Sequence, residues 1–558
     1  MWRVAVIFCL ILVIFAAIVA RLFYWQIVKG DDLRVQATAQ YDEELVLPAA
    51  RGAIKASDGQ PLAINVPSYL VYAEPNHIQN PDLFTRLVAP ILSLDEKEVL
   101  GQVSQKERYW VPLAKKIDQT SVDTLKNLKL AGLGFEPESK RYYPESSMAA
   151  QLLGFVGSDQ QGNDQGYFGL EGYYDRELRG QDGRLQIEKD VQGAPIVIGE
   201  AKRIDAQNGR TLNLWLDRTI QHIAETRLAA GIAQYGAKEG SVTIMDPATG
   251  GILAMASYPS YDPGQYTQFD KLSYQNPTVA HSYEPGSTFK VMVMAAALNE
   301  RVVTPITTMN ESGPVQVSDY TIRTWNDQYS GIQTMTQVIA HSSNVGMVFV
   351  EQKLGKTNML RYLHAFGFGK STGIDLEDEA VPALRSDSQW GDIDLATASF
   401  GQGIAVTPLQ MVKAVGALAN DGWLVEPHMV KSITDGSGKT VTIPPKRIAQ
   451  VVSKNASDLM TEMMINAVDN GESKWAKPKG YRIAGKTGTA QIPVAGHYDA
   501  TKTIASFVGF APADNPQFVM LVTIGEPSTS QWGSETAAPL FFSIAKDIFL
   551  YKGIPPTP

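Results

Sequence analysis

Hydrophobic and polar positions divide the chain into three stretches of different texture. From Val4 to Ala20 the sequence runs VAVIFCLILVIFAAIVA, without a charge. Its length lies near the low end of the roughly 17–25 residues that cross a bilayer as a helix. Arg3 and Arg21 bracket the run, and Phe23, Tyr24 and Trp25 follow where an interfacial aromatic belt would lie. From about Asp31 to Asp205 the chain is polar and often broken by Gly and Pro, with short β-like stretches such as Glu44–Leu47 and Tyr69–Ala73. This part reads as an irregular α+β module.

The third stretch is more regular. After Asp217, the positions Ile220, Ile223, Leu228 and Ile232 follow a roughly 3.6-residue period loosely, and 219–235 reads as a helix. A hairpin follows, with Gly240–Met245 and Gly251–Ala256 as strands and Asp246-Pro247-Ala248-Thr249-Gly250 as the turn. Thr503–Ala511 and Gln517–Ile524 repeat the pattern around Pro512-Ala513-Asp514-Asn515-Pro516, and Ala537 to Tyr551 reads as a final helix. Between the hairpins, 285–475 reads as mostly helical. Strands at both ends of a region with helices inserted between them predict an antiparallel sheet covered by helices.

Composition narrows this picture. The 558 residues allow three domains, at roughly 150 residues each. A net charge of −9 leaves no basic footprint, so nucleic acid is not an expected partner. Seven His, one Cys and no Cys-x-x-Cys or His-Glu-x-x-His spacing lead us to expect no metal and no cofactor. The single Cys9 sits inside the apolar run, so disulfides cannot hold the rest, which is compatible with export. Ala17-Ile18-Val19-Ala20 does not supply an Ala-x-Ala cleavage site, so the run is expected to stay as one uncleaved span. Positive charge does not orient it: Arg3 precedes the span, and Arg21, Lys29 and Arg34 follow.

Three motifs carry candidate chemistry. In Tyr283-Glu284-Pro285-Gly286-Ser287-Thr288-Phe289-Lys290, Pro and Gly suit a helix start and the apolar run after Lys290 suits a buried helix. Ser287 then lies in the first turn, where the positive helix end favours a developing anion, and Lys290 shares its face. A serine hydroxyl needs a base, and lysine serves if burial or a second cation lowers its pKa. By itself Ser-x-x-Lys is common, and a capping serine with a snorkelling lysine fits it as well. Ser342-Ser343-Asn344 follows between two helix-like stretches, 334–340 and one beginning at Val345, and Lys486-Thr487-Gly488-Thr489 lies on a strand-like segment, 481–491. Ser342 offers a second hydroxyl to relay a proton. Asn344 can hold a peptide carbonyl or orient the lysine. Lys486 adds positive charge that attracts a carboxylate and depresses Lys290. Thr487 and Thr489 can donate to that carboxylate, and Gly488 would let substrate backbone lie flat on the strand.

The three motifs in this order are the signature shared by penicillin-binding proteins and serine β-lactamases. The chain resembles a class B penicillin-binding protein over nearly its whole length. The likeness includes EPGSTFK, AHSSNVG, the helix-like ASFGQGIAVTPLQ (398–410), AGKTGTAQ, SFVGFAP (506–512), and Trp532-Gly533-Ser534 leading to AAPLF (537–541). Upstream it includes Arg51-Gly52 with Asp58-Gly59, Arg141-Tyr142-Tyr143-Pro144, and Gly169-Leu170-Glu171 with Gly180.

The resemblance implies an α+β fold of the serine β-lactamase-like transpeptidase type: a five-stranded antiparallel sheet with helices on both faces and the active site at the sheet edge. Before it would come an elongated α+β pedestal of the penicillin-binding dimerisation type and one transmembrane helix. The expected divisions are 1–30 for the cytoplasmic tip and anchor, 31–211 for the pedestal and 212–558 for the transpeptidase. It implies Ser287 as acylated serine, Lys290 as base and Ser342 as proton shuttle. Asn344, Lys486, Thr487, Gly488 and Thr489 would bind substrate, with the Ser287 and Thr489 N–H groups as oxyanion hole. The implied activity is peptidoglycan D,D-transpeptidation in cell wall synthesis, with cell division as the first expectation given the short pedestal. The implied partners are stem peptides and lipid-linked precursors, β-lactams as inhibitors, the membrane, and a multispanning glycosyltransferase of the shape, elongation, division and sporulation family. The implied placement is single-pass, N-terminus cytoplasmic, catalytic domain outside. The competing readings are a D,D-carboxypeptidase or β-lactamase-like hydrolase using water, and a non-catalytic β-lactam sensor or divisome scaffold.

Overall fold

A computed structural model describes residues 1–33, 42–188, 202–494 and 497–556; Arg34, among the charges weighed for orientation, lies outside them. The chain divides into two compact units, Met1–Arg51 with Arg179–Gly209, and Gly52–Leu178 with Arg210–Pro558.

In the first unit, helix α1 (Trp2–Phe23) runs on into a π-helical turn at Tyr24–Val28. The resulting 27-residue rod has no buried residue. An apolar rod of this length, roughly 40 Å at 1.5 Å per residue, finds cover for its side chains in a bilayer, and its backbone groups bond within the helix. It is the single span of the described residues. Asp42–Leu47 and Lys202–Ile204 flank Gly183–Glu188 in a three-stranded antiparallel sheet.

In the second unit, the upstream part is built on Pro61–Ala73, which pairs antiparallel with Leu133–Tyr142 and, near its end, with Val111–Ile117. Thr211–Leu214 joins this sheet, parallel to Ile54–Lys55 on one side and antiparallel to Val430–Thr434 on the other. The upstream backbone is thus knitted to the C-terminal part. Three of the upstream motifs meet in one buried cluster: Arg141 Nε donates to Glu171 Oε1 at 2.6 Å and its Nη1 donates to the Gly52 carbonyl at 2.8 Å. A charge removed from water needs this kind of pairing.

The C-terminal part is organised on five antiparallel strands, β1 (Glu239–Met245), β2 (Ile252–Tyr258), β3 (Ala484–Val494), β4 (His497–Ala511) and β5 (Phe518–Gly525), in the order β2-β1-β5-β4-β3. Successive side chains of a strand point to opposite faces. Phe518, Met520 and Val522 therefore pack on one side with helices α2 (Arg218–Tyr235) and α9 (Ala537–Lys552). Val519 and Leu521 pack on the other with α7 (Pro408–Leu418). Every residue of β5 is buried because both faces are covered. Each buried phenylalanine here, such as Phe507 and Phe541, contributes roughly 2 to 3 kcal/mol by leaving water. The arrangement is the expected α+β sheet with helices on both faces, and β3 is its edge.

Two expectations need correction. The region 285–475 carries helices but also short strands, among them Thr308–Glu311, Gly331–Thr334, Trp423–Val425 and Arg447–Gln450. The segment 398–410 is not one helix. Helix α6 (Asp392–Ala398) stops, 399–407 turns, and α7 resumes at Pro408 with Thr407 as its cap. Gly401 at φ +81° and Gly403 at φ +70° hold left-handed backbone that ends a helix.

Candidate active site

Ser287 lies in the 3-10 turn Gly286–Phe289 that opens helix α3 (Lys290–Asn299). In such a turn residues three apart eclipse each other, so Ser287 and Lys290 face the same way. The turn is held from outside. Gly286, at φ +55°, donates its N–H to the Gly401 carbonyl at 3.0 Å, and Thr288 Oγ1 donates to the Pro285 carbonyl at 2.7 Å. Ser287 is partly exposed, whereas Lys290 is 0 % exposed inside an α3 that is buried from Lys290 to Leu298.

The Lys290 Nζ reaches the second motif. It donates to the Ser342 carbonyl at 2.5 Å and to Asn344 Oδ1 at 2.8 Å, and lies 3.3 Å from Ser342 Oγ. The first two partners are acceptors only, which uses the two N–H bonds of a neutral amine and leaves its lone pair for a hydroxyl. The loop between α4 (Met335–Ala340) and α5 (Asn344–Leu354) delivers these oxygens because Ser342 sits at φ +58°, a conformation that costs a non-glycine residue energy. Asn344 Nδ2 donates to the Arg323 carbonyl at 3.0 Å, which turns Oδ1 toward the lysine. Burial, and after it the Lys486 charge, hold the Lys290 ammonium well below the ordinary lysine range; Glu472 and Glu311 pull the other way.

Ser343, the middle residue of that motif, is turned to structure. Its Oγ accepts from Gly346 N–H at 2.8 Å as the cap of α5 and donates to Glu311.

The third motif is on edge strand β3. Lys486 is buried, donates to the Thr487 carbonyl and Oγ1 at 3.1 and 3.2 Å, and is pushed down to about 8 by burial. Thr489 Oγ1 accepts from Gly533 N–H at 3.0 Å. Both threonine oxygens thus take a proton donor from the protein, and each hydroxyl hydrogen stays available to an anion. Gly488 lines the cleft, and its missing side chain also serves the packing of the strand. A Cβ there would lie 2.5 Å from Ser506 Oγ and 2.8 Å from Thr288 Cγ2. The glycine lets the strand press against the Ser287 turn.

A cleft of about 440 Å³ opens over this assembly, lined by Ser287, Ser342, Asn344, Thr487, Gly488 and Thr489. Lys290 and Lys486 are buried side chains outside that lining. All eight residues singled out from the sequence therefore meet at one place. The cleft also contains residues that sequence reasoning missed. Trp325 and Trp532 meet edge to face at 4.9 Å, and Glu472 and Gln402 are also in the lining. Trp532 and Gln402 lie in stretches that carry the family resemblance, but neither stands out there as a site residue. Glu472 has no motif of its own and enters through the turn that ends helix α8 (Lys454–Asn470).

Comparisons with known proteins agree along the chain. Residues 240–549 match the model of the penicillin binding protein transpeptidase domain, and residues 46–214 match the penicillin-binding protein dimerisation domain. The chain is 34 % identical to stage V sporulation protein D of Bacillus subtilis over 98 % of this chain and 85 % of that protein. It is 31 % identical to the peptidoglycan D,D-transpeptidase FtsI of Escherichia coli over 100 % of this chain and 92 % of that protein. The crystal structure of penicillin binding protein 2X from Streptococcus thermophilus superposes with a TM-score of 0.76 at 27 % identity, covering 92 % of this chain and 80 % of that one. With its serine turn, its buried lysine and its Lys-Thr-Gly edge strand meeting in one cleft, and with a transpeptidase model matching more than half its length, this chain belongs to the penicillin-binding protein transpeptidase family.

Proposed function

We propose that this protein is a membrane-anchored serine D,D-transpeptidase that cross-links peptidoglycan stem peptides through an acyl-enzyme in cell wall synthesis, and that β-lactams acylate the same serine. The observation that carries the reading is the Lys290 amine, buried between Ser342 and Asn344 directly under the cleft that Ser287 enters. In this mechanism neutral Lys290 takes the Ser287 proton and Oγ attacks the D-Ala-D-Ala carbonyl. The N–H groups of Ser287 and Thr489 carry the oxyanion. The Thr489 backbone lies close to Gly286, with 3.1 Å between its carbonyl oxygen and the position a Gly286 Cβ would take, which suits that pairing. Ser342 passes the proton to the leaving amine, and D-alanine departs. Lys486, Thr487 and Thr489 hold the terminal carboxylate, with Gly488 seating their strand. One Nδ2 hydrogen of Asn344 stays free of the Arg323 bond and can meet a substrate carbonyl. The amine of a second stem peptide then attacks the ester. A peptide bond forms, the bond to Ser287 Oγ breaks, and the proton lost by the amine returns Ser287 to its hydroxyl.

The test uses full-length protein in detergent with a D-alanyl thioester donor and an amine acceptor. Penicillin adds to the peptide that contains Ser287, by mass spectrometry, and the thioester yields an amide with the acceptor. Hydrolysis alone, with every acceptor, overturns transpeptidation and leaves a carboxypeptidase.

The reading also implies an N-terminus in the cytoplasm and a catalytic domain outside, where cross-linking occurs. A multispanning glycosyltransferase that polymerises lipid-linked precursors would work beside it. We place the activity in cell division, consistent with a pedestal that matches a single dimerisation domain. A fluorescently tagged copy then gathers at the septum in dividing cells. Uniform sidewall signal overturns the division assignment.

A further inference from the structure

Beside the Ser287 cleft lies a second cavity of about 360 Å³, and the two share Trp325 and Glu472 as a common wall. Their chemistry is opposite. The first has Lys486 beside it and the hydroxyls of Thr487 and Thr489 in its lining, which suits an anion. The second has no lysine or arginine in its lining, His341 being the one side chain there that can take a positive charge, and Glu472, Glu311, Asn326 and Gln328 contribute oxygens to it. Glu311 is 2 % exposed and already engaged, accepting from Ser343 Oγ and from Ser330 N–H. Glu472 is different. It faces solvent where the cavities meet and makes no hydrogen bond or ion pair with any described residue. Its field reaches Lys290 and Lys486, and it raises the pKa of both.

A lone carboxylate at this point works against the first half of the reaction. It repels the donor's carboxylate and the oxyanion, and it favours the protonated form of the base. It becomes useful for a reactant of positive charge, and the second half-reaction has one. The acceptor is a primary amine, an ammonium ion in neutral water, and it must arrive beside an acyl group on Ser287. We infer that Glu472 is the docking carboxylate for the acceptor's ammonium group, and that the second cavity receives the peptide that bears it. This rests on the acyl-transfer reading above. It makes Glu472 a specificity-determining residue that favours acceptors arriving as ammonium ions over neutral ones. The docked ammonium gives up one proton to solvent at this exposed carboxylate, and the resulting amine then attacks and passes its second proton to Ser287 Oγ.

The experiment compares wild-type protein with Glu472→Gln, which keeps shape and removes charge at a solvent-facing site. Full-length protein is acylated by the thioester donor in the presence of a D-amino acid amide, whose amine is cationic, or methanol, which is neutral. The ratio of amide to methyl ester product falls roughly tenfold in the variant, the loss expected for one charge-assisted hydrogen bond, and the acceptor KM rises. A ratio unchanged within about twofold overturns the inference. So does an equal loss for both nucleophiles, which would assign Glu472 to the field around the lysines. Wild-type protein that hydrolyses the donor and transfers to neither nucleophile would instead overturn the acyl-transfer reading itself.

Discussion

Lys290→Arg removes covalent capture of a β-lactam by Ser287, lowering the acylation rate by about 10³-fold, the middle of what a positioned general base supplies. Arginine keeps a positive charge of similar reach but stays protonated at every accessible pH, so it cannot take the serine proton. The site prepares lysine to act as a base, because the amine is 0 % exposed and its two donor bonds end on the Ser342 carbonyl and Asn344 Oδ1. Intact-protein mass spectrometry after timed exposure to penicillin measures the rate, and thermal melting checks that the larger side chain leaves the fold standing. Acylation at the wild-type rate would remove Lys290 from the role of base. The same assignment fixes the pH profile of the second-order acylation rate. Activity needs Lys290 neutral and Lys486 charged. Burial and the Lys486 charge disfavour the Lys290 ammonium and outweigh Glu472 and Glu311, so the neutral amine persists to a pH well below the usual lysine range. The rate therefore rises through that depressed pKa and falls again near pH 8, where Lys486 loses its proton. Lys486→Met removes the alkaline limb.

How much of this could be read from the chain depended on how local the determinant was. The β1–β2 hairpin was legible because two short apolar-rich runs flank a turn whose Asp246 carboxylate accepts the Ala248 N–H at 2.8 Å. Helix α2 was legible because Asp217 caps it and its apolar positions follow its pitch loosely. The three motifs were legible for a different reason, since each residue type has a chemical role and only their combination is rare. The packing role of Gly488 was not legible because its neighbour, Thr288, is two hundred residues away and appears only when β3 docks on the serine turn. Glu472 and Trp325 went unseen for the same reason: a single carboxylate or tryptophan in a loop has no pattern until the loops converge.

The segment 398–410 shows the same limit most clearly and leads to the second large effect. It reads as helix-like, yet Gly401 takes φ +81° and stacks its backbone on the serine turn. A Cβ at Gly401 would lie 2.1 Å from the Gly286 carbonyl oxygen and 2.7 Å from the Gly286 nitrogen. Those are backbone atoms, so no rotamer change relieves the clash. Gly401→Ala therefore pushes the 285–287 turn away from its place, and with it Ser287 relative to the Lys290 amine and the Thr489 backbone. Displacement of about 1 Å costs roughly 100-fold in rate when reacting groups must be aligned, so acylation by penicillin falls by about that factor. Gly403→Ala is the matched comparison. Its φ of +70° imposes similar backbone strain, but its Cβ would meet only Thr397 Oγ1, at 3.4 Å. Both variants lose some thermal stability, on the order of 1–3 kcal/mol for a side chain in left-handed backbone, and only the first loses its acylation rate. Equal acylation in the two would mean that the turn carrying Ser287 is held by α3 alone and not by the Gly286 to Gly401 contact.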